Sequence, residues 1–164
     1  IAFVPEDRKE EGLVLPFSVE QNISMAALKN ISPNSFVNKS REQEMAREQI
    51  KALEIKTPSE KTKVVSLSGG NQQKCILARW LEMKPKVLIL DEPTKGIDVG
   101  AKYEIYLLMK QIAESGSAII LISSELPEVL NMSNRVLTVS EGKITGEFNP
   151  EGISAEVIMK SALA

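Results

Sequence analysis

Residues 86–98 read KVLILDEPTKGID. Val87, Leu88, Ile89 and Leu90 are four apolar residues in a row. An unbroken run rich in branched side chains predicts a strand covered on both faces, as in a parallel sheet with helices on either side. Burying each such side chain is worth about 1.5–3 kcal/mol. Asp91 and Glu92 follow at once, and Pro93 stops the strand. In open α/β sheets, ligands bind in the crevice beyond the carboxyl ends of the strands. Two acids at that position are placed to meet a cation or a water. An isolated Asp-Glu pair would read as a strand end reaching solvent. After four buried residues, and before PTKGID, the functional reading is preferred.

Upstream stands LSGGNQQK, residues 67–74, leading into a helix with Ile76, Leu77, Trp80 and Leu81 as its apolar stripe. Ser68, Gly69 and Gly70 let backbone N–H groups converge on an anion at the helix's positive end, and glycine permits close approach. The competing reading is an ordinary N-cap. After Asp98 a helix runs to about residue 115, with Ala101, Ile105, Leu108 and Ile112 facing inward. Residues 118–122, AIILI, read as a second fully buried strand, with Ser123, Ser124 and Glu125 at its end. Ser124 could donate a hydrogen bond to a phosphate or a water near Asp91 and Glu92, or could cap the following helix.

The chain opens with a short strand, IAFV, closed by Pro5 and a polar loop, PEDRKEEG. Glu6, Asp7 and Arg8 follow that strand directly, where they could sense a ligand or simply face solvent. Ser18 with Gln21 forms a capping-box pattern, and Ser40 with Gln43 a second one before a longer helix ending at Thr57-Pro58. That helix presents Ala46, Ile50 and Leu53 on one face, with Glu42 among its polar positions. Residues 13–66 hold helices only. Beyond residue 84 strands and helices alternate, which predicts a mainly parallel sheet there. A third strand near residues 135–139, a turn at Glu141-Gly142, a return strand at 143–148 and a last helix complete the chain.

The totals exclude several classes. The net charge is −2, so neither nucleic acid nor an acidic membrane surface is indicated as the main partner. The single cysteine, Cys75, excludes an internal disulfide framework and fits a reducing compartment. Histidine is absent, which removes the commonest general base and metal ligand. No apolar run approaches the ~20 residues of a membrane span. Cys75 and Trp80 sit among apolar helix neighbours and read as core. The chain starts on Ile1 as a strand already under way, which predicts that it is part of something longer.

LSGGNQQK followed by VLILDEPTKGID resembles the signature motif, Walker B strand and D-loop of the ATP-binding-cassette ATPases, over essentially the whole chain. More narrowly, VPEDRKEEGLVLPFSVEQNIS, TKGIDVGAK and ISSELPEV resemble the second cassette of the double-cassette ATPases of bacterial ribose, galactose and xylose importers. The resemblance implies an α/β fold of the P-loop NTPase kind, a mainly parallel sheet with an inserted helical subdomain. The helical and signature part would span residues 13–83, and the catalytic core residues 1–12 and 84–164. By position, Asp91 matches the magnesium aspartate, Glu92 the catalytic glutamate and Asp98 the D-loop aspartate. Ser68, Gly69 and Gly70 match the residues that clamp the γ-phosphate of a nucleotide held by the opposite cassette.

Three departures stand out. No G-x-x-x-x-G-K-[ST] loop occurs, and the resemblance implies that the N-terminal part with Walker A, missing here, is to be expected upstream of Ile1. Glu6 stands where a glutamine is expected, and Ser124 where a histidine is expected. The resemblance implies ATP and Mg²⁺ as cofactors and hydrolysis coupled to carbohydrate uptake in the intact protein. It implies a second cassette in cis or in a homodimer, membrane permease subunits and, indirectly, a sugar-binding protein as partners. The site would be the cytoplasmic face of the bacterial inner membrane. The alternative is a degenerate, mainly non-hydrolysing cassette that completes the opposite ATP site. The isolated chain is expected to bind Mg-ATP weakly or not at all, and to expose apolar surface that invites self-association.

Overall fold

Strand β1 (Ala2–Val4) lies parallel to β2 (Val87–Asp91), with Ala2 beside Leu88, Phe3 beside Ile89 and Val4 beside Leu90. The computed structural model describes residues 1–163, with Asn34 as backbone only. Side chains alternate across a strand, so this register puts Ala2, Val4, Leu88 and Leu90 on one face. All four are buried there. β3 (Ala118–Ile122) is the third strand, in the order β1-β2-β3. The Ala118 N–H donates to the Lys86 carbonyl at 2.9 Å where the two strands enter the sheet.

The opposite face of the sheet is less covered than the apolar runs predict. Val87 and Ile89 are half-buried, Phe3 is 45% exposed and Ile120 50% exposed. The expectation of two strands fully buried on both faces is therefore corrected. β2 is sealed on one face only, and β3 alternates between half-buried and exposed. An apolar run reports what a strand could bury, and the layer stacked on it decides what it does bury.

Two compact units make up the chain. The first, Ile1–Ile120, holds the helices α1 (Val19–Ser24), α2 (Leu28–Ile31), α3 (Lys39–Ala52), α4 (Gly69–Leu81) and α5 (Val99–Glu114). α1 begins at the predicted capping box. Ser18 Oγ accepts from the Gln21 N–H, and Gln21 Oε1 accepts from the Ser18 N–H at 2.9 Å. α3 starts two residues before the expected box. Asn38 is its cap, accepting from the Arg41 N–H at 3.2 Å, while the Asn38 N–H itself donates to the Ile31 carbonyl.

α3 also ends before Thr57-Pro58, in a Schellman motif. The Ile55 N–H donates to the Ile50 carbonyl at 2.9 Å, with Glu54 in the left-handed region at φ 51°. Glu42, expected on the polar face, is buried between Ser24 and Lys39, whose donors reach its two oxygens at 2.8 and 2.7 Å. The expected plain loop after β1 contains a π-type turn over Arg8–Gly12. Asp7 caps it by accepting from the Lys9 and Glu10 N–H groups, and those bonds hold its carboxyl below the usual range.

The second unit, from Leu121 on, contains α6 (Leu126–Met132), the antiparallel hairpin β4 (Val136–Ser140) and β5 (Lys143–Phe148), and α7 (Ala155–Ala162). Glu141 and Gly142 form its turn, both at positive φ, as a two-residue primed turn requires. α7 packs on the hairpin, where Ser161 Oγ and Thr138 Oγ1 lie 2.9 Å apart.

α4 is buried on nearly all sides, including at Gln72, Gln73, Lys74 and Arg79. Arg79 Nε and Nη2 donate to the carbonyl and side-chain oxygens of Asn22 at 2.7 and 2.9 Å, and Nη1 donates to the Gly12 carbonyl at 2.7 Å. Lys74 Nζ donates to the Glu54 carbonyl and pairs with Glu104 of α5 at 2.8 Å. These two cations tie α4 to the turn after β1, to α1, to the end of α3 and to α5. Cys75, fully buried between them, has its thiol pushed up from 9.0 to about 12, chiefly by burial. Below both values that rise lowers the thiolate fraction about 10³-fold. Alkylation by iodoacetamide at pH 8 should therefore be at least about 10³ slower in buffer than in urea, followed by mass spectrometry. Equal rates in the two solvents would show that the helix opens readily.

Candidate functional site

Parallel strands end on the same side, so the loops after β1 and β2 emerge together. Glu6, from the first, and Asp91, at the end of β2, line one recess of about 600 Å³ with Asp7, Arg8 and Lys95. Lys95 Nζ pairs with Glu6 across it, which raises the lysine's pKa. The carboxyl of Asp91 is pushed up by burial first, then by the charges of Glu6 and Glu92, with Lys95 pulling the other way. An excess of negative charge is thus concentrated at the strand end.

Glu92 carries a further mark. Its φ is 45°, in the left-handed region. Few residues other than glycine sit there, at a cost of order 1 kcal/mol or more, and such strain gathers at functional sites. The turn that imposes it is closed by the Lys95 N–H donating to the Glu92 carbonyl at 3.1 Å. Thr94 and Pro93 are buried beneath the turn.

A second recess of about 200 Å³ lies at the N-terminus of α4, lined by Lys56, Ser68, Gly70, Asn71, Asp98, Gly100, Ala101 and Glu104. Ser68 occupies the cap position of α4 but makes no cap hydrogen bond. Its Oγ accepts from Asn71 Nδ2 at 2.9 Å instead. The first N–H groups of a 13-residue helix are left without a side-chain cap, the condition in which a helix N-terminus attracts an anion. Asp98 caps α5, its Oδ1 accepting from the Ala101 N–H at 3.0 Å.

The two signature glycines differ. A Cβ on Gly70 would lie 2.5 Å from the Ala101 Cβ, so its bare backbone lets α4 and α5 approach. A Cβ on Gly69 would instead meet Arg8 Nη2 at 2.9 Å. Helix propensity alone favours Ala over Gly by about 1 kcal/mol. Gly70→Ala should nevertheless destabilise the chain, by about 1–3 kcal/mol of overpacking. Adding Ala101→Gly should return at least about 1 kcal/mol of that in a double-mutant cycle of urea midpoints. Additive effects would mean that the helices simply move apart.

The structure therefore gathers Glu6 with Asp91, and Ser68 and Gly70 with Asp98. Ser124 belongs to the second unit, exposed in the turn between β3 and α6. Ser123 Oγ, rather than a cap on α6, accepts from the Glu125 N–H at 3.0 Å. Sequence reasoning left out Lys95 and Lys56, a lysine lining each recess. Lys95 lay inside the motif already read, one residue past Thr94.

Residues 3–95 match the family model described as ABC transporter. The chain belongs to the ABC transporter family. Among curated relatives, the ribose import ATP-binding protein RbsA of Bacillus cereus is 51% identical over 162 residues, which cover 99% of this chain and 33% of that protein. The xylose import ATP-binding protein XylG of Photobacterium profundum is 52% identical over 164 residues, covering 100% of this chain and 32% of its own length. This ABC chain thus spans about a third of the length of the curated relatives it matches.

Two solved structures share its fold. One is a metal-chelate type ABC transporter in an inward-facing conformation, with a TM-score of 0.79 at 22% identity, covering 99% of this chain and 63% of that one. The other is an ATP-binding cassette dimer in a post-hydrolysis state bound to ADP and Pi, with a TM-score of 0.72 at 21% identity, covering 93% of this chain and 64% of that one. The expected P-loop NTPase-like α/β fold is the one observed. No helix among the described residues is long and apolar enough to cross a membrane.

Proposed function

We propose that this chain is the signature and Walker B part of an ATP-hydrolysing cassette that drives carbohydrate import in a longer protein. One observation carries the reading. A carboxylate, Asp91, ends a parallel strand amid like charge, and the residue after it, Glu92, is held in strained backbone. The names of RbsA and XylG, ribose and xylose import ATP-binding proteins, support ATP as the ligand and carbohydrate as the cargo.

The residues fit Mg²⁺. The recess holds a surplus of carboxylate charge that a cation would relieve. Magnesium in phosphoryl-transfer sites is held by one or two carboxylates together with phosphates and waters, so a sparse set suits it. Asp91 would hold it, and the ion would neutralise charge developing on the phosphates. Glu92 would orient an attacking water and accept its proton at a carboxylate oxygen. Glu6 would contact the same water or metal from the neighbouring loop. Ser68, Gly69 and Gly70 would present hydroxyl and N–H donors to the γ-phosphate of a nucleotide bound by a second cassette, with Asp98 beside them. Ser124 would contribute a hydroxyl from the turn after β3.

In this reading residues 13–83 form the helical and signature part, and residues 1–12 with 84–164 the core. The helical part and residues 5–12 would dock on permease subunits at the cytoplasmic face of a bacterial membrane. A sugar-binding protein would act through the permease. The test is Mg²⁺-dependent ATP hydrolysis and sugar uptake by the full-length protein, with and without Glu92→Gln. Unchanged turnover in the variant overturns the proposal.

A further inference from the structure

Three segments distant in sequence meet around one guanidinium. Arg8, in the turn after β1, donates from Nη1 to the Lys95 carbonyl at 2.7 Å and from Nη2 to the Gly96 carbonyl at 3.1 Å. The Lys95 side chain returns across the gap to Glu6. The first residue of α4 leans on the same group, since a Cβ on Gly69 would come within 2.9 Å of Nη2 and 3.4 Å of the Gly96 carbonyl. Arg8 Nε is buried without a hydrogen-bond partner among the described residues, and the hydrogen bonds of the side chain run from its forked end. Gly96 adopts φ 65° at this turn, a conformation that glycine takes at no steric cost.

We propose that Arg8 is a positioning residue of the ATP site, fixing the Lys95–Gly96 segment against the N-terminus of α4. The proposal rests on the reading of the site given above. Arg8 lines the recess of Glu6 and Asp91. Two residues beyond Gly96, Asp98 lines the recess of Ser68 and Gly70. Arg8 is thus the polar link between the two. A ligand that displaces Glu6 or Asp91 pulls on Lys95 and Gly96, and through them on Asp98 and the cap of α5. By linkage, a ligand at Ser68 acts back on the acidic recess to the same degree. Lysine cannot replace this fork, because one ammonium on a flexible stem does not span two carbonyls in fixed geometry.

The full-length protein carrying Arg8→Ala, and separately Arg8→Lys, tests the idea. Amide exchange at Lys95 and Ile97, whose N–H groups close the turn on the Glu92 and Thr94 carbonyls, should quicken about 10-fold in Arg8→Ala and less in Arg8→Lys. In ATP hydrolysis, kcat should fall about 10-fold with KM within about twofold, since small misplacements of positioned groups act on turnover. Unchanged exchange in a folded Arg8→Lys or Arg8→Ala protein overturns the proposal. So does a raised KM at constant kcat, which would make Arg8 a ligand contact. If the wild-type protein hydrolyses no ATP, the reading of the site falls, while the exchange measurement still decides the role of Arg8.

Discussion

Arg79→Ala should remove about 3–5 kcal/mol of stability, a large part of the 5–15 kcal/mol that holds a domain together. Arg79 is 7% exposed, and its pKa is pulled down chiefly by burial. Hydrogen bonds run from its guanidinium to the carbonyls of Asn22 and Gly12 and to Asn22 Oδ1. Asn22 in turn grips the segment before α1, its Oδ1 accepting from the Val14 N–H and its Nδ2 donating to the Val14 carbonyl. Truncation leaves a cavity in the most enclosed helix and strips donors from buried oxygens, so the two costs add. Arg79→Lys keeps the charge but not the fork, and should recover less than half of the loss. Urea titration of the three proteins measures this. A shift below about 1 kcal/mol for the alanine variant would mean that water enters and replaces the guanidinium.

In the full-length protein, Glu92→Gln should lower kcat for ATP hydrolysis by about 10²–10⁴, equivalent to roughly 2.7–5.5 kcal/mol of barrier. The substitution preserves volume and leaves the backbone at φ 45°, so it removes a proton acceptor without relieving the strain. It also deletes one of the like charges that raise the pKa of Asp91, which should bring that carboxyl closer to its ordinary value. Denaturation midpoints should stay within about 0.5 kcal/mol of the parent. A variant that unfolds early would show that Glu92 is held for structure, and a stable variant with full turnover would remove it from the chemistry.

Much of the local geometry of this candidate site is legible in the sequence, because it is written in short-range signals. An apolar run stopped by two acids and a proline locates a strand end, and a serine and two glycines before a periodic stretch locate a helix start. The cap of α3 was not legible. Asn38 and Ser40 offer equally good side chains, and the tertiary bond from Asn38 to Ile31 chooses between them. Nor was the burial of Glu42, Lys74 and Arg79, each of which looks like a solvated position until its partner from another segment is known. Arg79 lies three residues beyond Ile76, inside the apolar stripe of α4, and that misplaced charge was the one available sign. The half-open face of the sheet escaped detection for the opposite reason, since local pattern says nothing about the next layer.

The contrast between Gly69 and Gly70 bears on how mutational scans of such chains are read. A variant lost at position 70 reports on the spacing of two helices, and so belongs with core substitutions such as those at Leu88 or Ile105. A variant lost at position 69 reports on traffic between the loops after β1 and β2. Depletion at both sites, taken as a single phosphate-contact signal, would merge a folding defect with a communication defect. Measuring protein abundance alongside transport separates them.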